Sequence, residues 1–118
     1  MVVDELSQAD VDRIFHALAD ATRRDIVRRT LTKEASVTEL AQAYDMSFAA
    51  VQKHVAVLEG AGLVSKRSRG RERIVRGDAA QIARARSLLA QLEELWRSRF
   101  GRLDAVLANP DAPAPPPA

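Results

Sequence analysis

Apolar residues recur at helical spacing through most of this chain, and each run begins beside a residue suited to cap a helix. Val11, Ile14, Phe15 and Leu18 fall on one face of a helix starting near Gln8. Asp20 can cap a second helix with Ile26, Val27 and Leu31 on its inner face. Ser36 and Glu39 have the spacing of a capping box, which predicts a third helix through Leu40 and Ala41 to about Tyr44. A turn of about four residues around Asp45 and Met46 leads to Ser47, a cap for a fourth helix. Val51, Val55 and Leu58 stand at i, i+4 and i+7 and give that helix one buried stripe, and Gly60 and Gly62 mark its end.

The pattern then changes. Residues 63–66 and 73–76 read as two short strands around the tip SRGR, where Gly70 is free to adopt a positive φ. Asp78 can cap a last helix over residues 79–108. Ile82, Leu89, Trp96 and Leu103 recur in it every seven residues, joined by Leu88, Leu92, Leu95, Phe100, Val106 and Leu107. Unbroken, it would be about 45 Å long at ~1.5 Å per residue, with Gly101 the candidate bend. The expected fold is mainly α, about five helices with one small β-hairpin, in one domain over residues 1–108. The stretch NPDAPAPPPA, residues 109–118, is expected to be a disordered Pro/Ala-rich tail.

Composition narrows the chemistry. A chain of 118 residues with 47% hydrophobic and 29% charged residues fits one folded domain, and 4% aromatics make its core aliphatic. No cysteine is present, so disulfides, thiolate metal sites and cysteine nucleophiles are excluded. No run of ~18 apolar residues exists to span a membrane, and Asp4 and Glu5 argue against a signal peptide. A cytoplasmic location is expected. Net charge is only +2, but Lys66, Arg67, Arg69, Arg71, Arg73 and Arg76 against Glu72 alone put +5 on residues 66–76, which leaves −3 elsewhere. A cationic projection on a near-neutral body suits a local anionic partner.

Two capped helices followed at once by a cationic hairpin form an arrangement suited to duplex DNA. On the fourth helix Val51, Val55 and Leu58 face the core, while Phe48, Ala49, Gln52 and Lys53 face elsewhere in its first two turns. Gln52 carries a donor and an acceptor and can read adenine. Lys53 can reach a guanine edge or a phosphate, and Phe48 or Ala49 can touch a thymine methyl. His54 is expected either to pack at the helix edge or to contact a phosphate. Arg69 and Arg71 straddle Gly70, where they can clasp a backbone or enter a minor groove. An amphipathic surface helix alone would carry no such meaning; the capped helix before it and the basic hairpin after it supply the meaning. Arg23, Arg24, Arg28 and Arg29 read as a solvated face of the second helix.

The segments ADATRRDIV and VTELAQAYDMSFAAVQKHVAVLEGAGLVSKRSRGRERIVR resemble the ArsR/SmtB-type winged helix–turn–helix transcriptional regulators, over roughly residues 9–108. The resemblance is greatest to the cysteine-free branch. It implies a homodimeric bacterial repressor joined through its terminal helices, with recognition by the helix from Ser47 to Gly60 and a wing centred on Gly70. DNA contact then falls to Ser47, Phe48, Ala49, Gln52, Lys53, Arg69 and Arg71. The chain departs from the family where Phe48 and Gln52 replace commoner polar residues and serine, and where Ile74 and Val75 replace tyrosines of the wing.

The apolar arc of the last helix is too wide for one thin domain to cover. The expected dimer interface is Leu88, Leu92, Leu95, Trp96 and Phe100, with Phe15 of the first helix. His16 and His54 lie on different helices with no evident carboxylate partners, and residues 78–90 hold no histidine and one acid, so metal sensing is not expected. No nucleophile–base pair or phosphate-cradling loop appears, and Glu93 and Glu94 are adjacent on a helix, so neither catalysis nor a cofactor is expected. The expected function is sequence-specific binding of double-stranded DNA at a palindromic operator, as a metal-independent homodimeric repressor. The alternatives are a metal- or small-ligand-responsive repressor of the same fold, whose effector is unidentified, and a winged-helix protein-interaction module.

Overall fold

The computed structural model describes residues 6–108, apart from the side chains of residues 102–106 and 108. The expectations for the tail 109–118, for Asp4 and Glu5, and for the side chains of Leu103 and Val106 lie outside the described residues. Five helices and three strands follow in the order α1 (Gln8–Leu18), α2 (Ala21–Thr32), β1 (Ala35–Ser36), α3 (Val37–Tyr44), α4 (Phe48–Gly60), β2 (Val64–Arg69), β3 (Glu72–Gly77) and α5 (Ala79–Ala108). The chain divides into two compact units, the first through Ala85 and the second from Arg86.

The caps set the helix starts. Ser7 and Asp10 form a capping box on α1, in which each side chain accepts the other's backbone N–H. Asp20 accepts from the Arg23 N–H at the start of α2, and Ser36 and Glu39 form the expected box on α3. The helix-to-helix turn is Asp45, Met46 and Ser47, one residue tighter than the pattern suggests. Asp45 ends α3 in the left-handed region at φ 52°, a conformation that a short polar side chain tolerates. At the end of α4 the Leu63 N–H donates to Leu58 O (3.0 Å) and the Gly62 N–H to Glu59 O (2.9 Å). This is a Schellman motif, and Gly62 supplies its positive φ of 74°.

The core of the first unit is aliphatic. Ile14, Ala17, Ile26, Val37, Leu40, Val51, Val55, Leu58, Leu63 and Val75 are almost fully buried and belong to one cluster. Leu31, expected on the inner face of α2, is instead 40% exposed. It sits beside β3, where an alanine Cβ at Gly77 would lie 2.8 Å from Leu31 Cγ and 2.9 Å from its backbone nitrogen. That close approach of strand and helix requires glycine.

The sheet runs in the order β1-β3-β2, antiparallel throughout. The hairpin strands extend beyond the expected residues 63–66 and 73–76, and the turn contracts to Gly70 and Arg71 between the paired Arg69 and Glu72. Positive φ at Gly70 alone fits a type II′ turn. The two-residue β1 had no counterpart in the sequence pattern. It pairs Ala35 with Val75 and Ser36 with Ile74. Gly101 is the candidate bend, yet α5 continues through it as helix.

A polar hub joins α2 to α3. Tyr44 donates its O–H to Asp25 Oδ2 at 2.5 Å, Arg29 Nε donates to the same carboxylate at 2.9 Å, and Arg28 bonds its other oxygen. The Arg29 guanidinium also lies over the Tyr44 ring, 5.1 Å from its centroid. The Tyr44 hydroxyl, then Arg29 and Arg28, hold the Asp25 carboxyl well below the usual carboxylate range. Burial, then the bond to Asp25, pushes the Tyr44 phenol up to about 12.

Two tests follow from these contacts. Gly77→Ala should destabilise the fold by about 1–3 kcal/mol in urea unfolding, through overpacking against Leu31; unchanged stability would mean the strand and helix separate freely. For Asp25, a folded pKa below its ordinary value near 3.8 adds stability that is present above that value and is lost as pH falls below it. Tyr44→Phe removes the largest cause of the depression. Acid unfolding followed by circular dichroism should therefore have its midpoint at higher pH in Tyr44→Phe than in the parent, and coincident acid limbs would remove the hub from the account.

Candidate nucleic-acid interface

The orientation of α4 follows from its buried stripe. Val51, Val55 and Leu58 have no measurable exposure, which fixes the helix about its own axis. The first turns then present Ser47, Phe48, Ala49 and Lys53 as exposed residues, with Gln52 half-buried beside them. Phe48 is 48% exposed, a large aromatic left in solvent at the helix start. Ser47 accepts the Ala50 N–H at 3.1 Å, so its side chain is committed to capping. The structure therefore brings Ser47, Phe48, Ala49, Gln52 and Lys53 onto one accessible end of one helix.

His54 is placed differently. Its Nδ1 lies 3.4 Å from Arg23 Nη1 and 3.9 Å from Asp20 Oδ2, at the edge where α4 meets α2. Arg23 also donates through Nε to Ala17 O (2.7 Å) and through Nη2 to His16 O (3.0 Å), and Arg24 donates to Leu18 O (2.7 Å). Those arginines satisfy the open carbonyls of Ala17 and Leu18 at the end of α1, and share His16 O with the Ala19 N–H. Arg24, Arg28 and Arg29 are exposed, as expected of a solvated face, but all four arginines of α2 also make bonds within the fold, two to α1 and two to Asp25. The spacing of α2 alone gave no sign of it, since each acceptor depends on how the helices pack.

In the hairpin, register decides which cations go together. Arg67 pairs with Ile74, and Arg69 with Glu72, so these side chains share one face. Lys66 pairs with Val75, and Ser68 with Arg73, on the other face. Val64 and Val75 join the core on that second face, and Lys66 Nζ lies 3.6 Å from Glu59 Oε1 of α4. Arg71 is at the turn, exposed. Among the described residues Arg71, Arg73 and Arg76 have no ion pair. Arg67 and Arg69 both donate to Glu34 Oε1, at 2.6 Å and 2.7 Å. Arg67 first, with Arg69 behind it, holds the Glu34 carboxyl below its usual range. Arg69 and Arg71, expected together at the tip, thus have different environments. The contact of Glu34 with Arg67 and Arg69 has no counterpart in the sequence pattern, since 33 and 35 residues separate the partners.

In the second unit α5 carries Leu89, Leu92, Leu95, Trp96, Phe100 and Leu107 exposed, with Leu88 half-buried. Trp96 and Phe100 meet edge to face with centroids 4.5 Å apart. In the first unit Phe15 of α1 is 39% exposed. Among the described residues no three His, Asp or Glu side chains converge on a metal-sized site, and no helix is long and apolar enough to cross a membrane. An open groove of about 670 Å³ lies between α2 and α3, lined among others by Arg28, Arg29, Lys33, Glu34, Glu39 and Leu40.

Comparison with known proteins gives this geometry a lineage. The helix-turn-helix domain family matches residues 18–67. The HTH-type transcriptional regulator Rv2034 of Mycobacterium tuberculosis is 39% identical over 85 residues, which span 72% of this chain and 77% of that protein. The crystal structure of an ArsR family transcriptional regulator is 33% identical with a TM-score of 0.71, over 79% of this chain and 96% of that one. A homodimeric winged helix-turn-helix domain from Mycobacterium bovis, 24% identical with a TM-score of 0.61 over 80% of this chain and 91% of its own, shares the fold. With α3 and α4 as its helix–turn–helix and β2–β3 as its wing, the chain belongs to the ArsR-family winged helix–turn–helix transcriptional regulators.

Proposed function

We propose that the protein is a cytoplasmic homodimeric repressor that binds a palindromic operator, independently of metal, and acts by occupying DNA and not by catalysis. The observation that carries the reading is the division of α4, whose stripe of Val51, Val55 and Leu58 is fully buried while Phe48, Ala49, Gln52 and Lys53 are left accessible at its N-terminal end. The N-terminal residues of such a helix are those that meet base edges in the major groove. Gln52 is suited to adenine, Lys53 to guanine or phosphate, and Phe48 and Ala49 to a thymine methyl. Ser47 lies beside the backbone at the helix start. His54, held near Arg23 and Asp20, supports the helix and adds a phosphate contact at its edge. Arg71 stands at the turn of the wing, where it reaches a phosphate or the minor groove.

Dimerisation is supported by the apolar face of α5, where Leu92, Leu95, Trp96 and Phe100 are 42–63% exposed. Apolar patches of more than a few hundred Å² mark interfaces. Leu88 and Phe15 extend the proposed interface, and the Mycobacterium bovis relative is itself homodimeric. Two copies of one recognition helix imply two half-sites about one helical turn of DNA apart. The absence of cysteine supports metal independence. A second reading, release by a small ligand, has one observation in its favour: the groove between α2 and α3.

The test is selection of bound fragments from random duplex DNA, followed by binding of the selected site. Two chains should occupy one site with related halves. Gln52→Ala should weaken the selected site by about 1–3 kcal/mol and relax preference at one position per half-site, with little change in fold stability. Equal loss on selected and random DNA would remove Gln52 as a reader. No enrichment of any sequence would favour a protein-interaction module.

A further inference from the structure

The cations of the wing are not equally available. Arg67 and Arg69 share a single oxygen of Glu34, 33 and 35 residues earlier in the chain. Glu34 stands immediately before β1, whose two residues are pinned to β3 by the pairs Ala35–Val75 and Ser36–Ile74. Ser36 also caps α3, with its hydroxyl accepting from the Glu39 N–H and its own N–H donating to Glu39 Oε1. The position of the carboxylate is therefore set jointly by the pairing of β1 with β3 and by the capped start of α3. By strand alternation its two partners project from the face of the hairpin opposite Lys66 and Arg73. Arg71, Arg73 and Arg76 have no ion pair among the described residues.

An ion pair this exposed adds little to the stability of the fold. Its consequence for DNA is larger, because affinity for phosphates follows the number of charges that are neutralised on the duplex. A guanidinium already facing a fixed carboxylate releases fewer counterions, and the carboxylate repels any phosphate brought near it. We propose that Glu34 is a positioning residue that withholds Arg67 and Arg69 from the phosphate backbone. The wing is left with Arg71 and Arg73, at and near the turn, and Arg76 further back for that contact, and the affinity of the repressor for non-specific DNA is kept low. The inference rests on the DNA-binding reading above. It identifies which charges of that surface act, and it accounts for a carboxylate placed against the most basic segment of the chain.

The test is a salt titration of binding to a random-sequence duplex and to the selected operator, using the intact protein. Glu34→Gln keeps the size of the side chain and removes its charge. It should bind random duplex at least several-fold more tightly at about 0.15 M salt. Its log–log salt slope should steepen by up to about 3–4, since four arginines per dimer each count for roughly 0.9. Affinity for the operator should rise less, so the ratio of operator to random binding falls. Adding Arg67→Ala and Arg69→Ala to Glu34→Gln should return the slope to that of the parent. Glu34→Asp, which keeps the charge, should retain the slope and ratio of the parent. A structural role of Glu34 alone would move the melting temperature and leave these slopes in place.

The inference is overturned if Glu34→Gln binds both duplexes as the parent does. It is equally overturned if Glu34→Gln binds with a shallower slope, which would show that Glu34 aims the two arginines at DNA. A parent protein that binds no duplex with any salt dependence would instead overturn the DNA-binding reading on which the inference rests.

Discussion

Burial of one aliphatic stripe on α4 is the constraint on which the rest of the first unit depends. Val51, Val55 and Leu58 are excluded from solvent together with Ile14, Ile26, Leu40 and Val75, residues drawn from α1, α2, α3 and the sheet. Burying such side chains stabilises by about 1.5–3 kcal/mol each relative to exposure. A rotation of α4 about its axis would forfeit several of these at once. The same burial that holds the helix therefore decides which residues it presents. Phe48, Ala49 and Lys53 remain outside because the neighbouring positions are occupied by the core.

Around that core, charge is used in two ways. On α2 it bonds to the fold from a solvated face: Arg23 and Arg24 reach carbonyls at the end of α1, and Arg28 and Arg29 hold Asp25 beside Tyr44. On the hairpin it is partitioned. Arg67 and Arg69 meet Glu34, while Arg71 and Arg73 stand without an ion pair among the described residues. A count of basic residues over 66–76 describes the total field but not which charges can be given to a phosphate. In the proposed reading, a strand of two residues and the cap of α3 make that selection.

What the sequence made legible were the local devices. The Ser36–Glu39 box, the Asp20 and Ser47 caps and the glycine-marked end of α4 each act within about five residues, and each stands where its spacing put it. The buried stripe of α4 was legible for the same reason, since period and burial coincide. Contacts set by the packing of distant elements were not. Strand β1 has two residues and no periodicity to read, yet it places Glu34. The partners of Arg23 are backbone carbonyls, which no side-chain pattern announces. Leu31 follows helical spacing like its neighbours, but β3 and Gly77 crowd against it while solvent reaches its other side. The Phe48–Lys53 face was legible because the core stripe of the same helix defines it by exclusion.

The central claim is that this unit meets duplex DNA with the N-terminal end of α4 and the turn of the wing. Mapping backbone amide chemical shifts during titration with the selected duplex tests it most directly. The account predicts the largest changes at Ser47, Phe48, Ala49, Gln52 and Lys53 and at Gly70, Arg71 and Arg73, with Ile14 and Ile26 of the core nearly still. Changes confined to α5 between Leu88 and Phe100, with α4 and the wing unmoved, would contradict it.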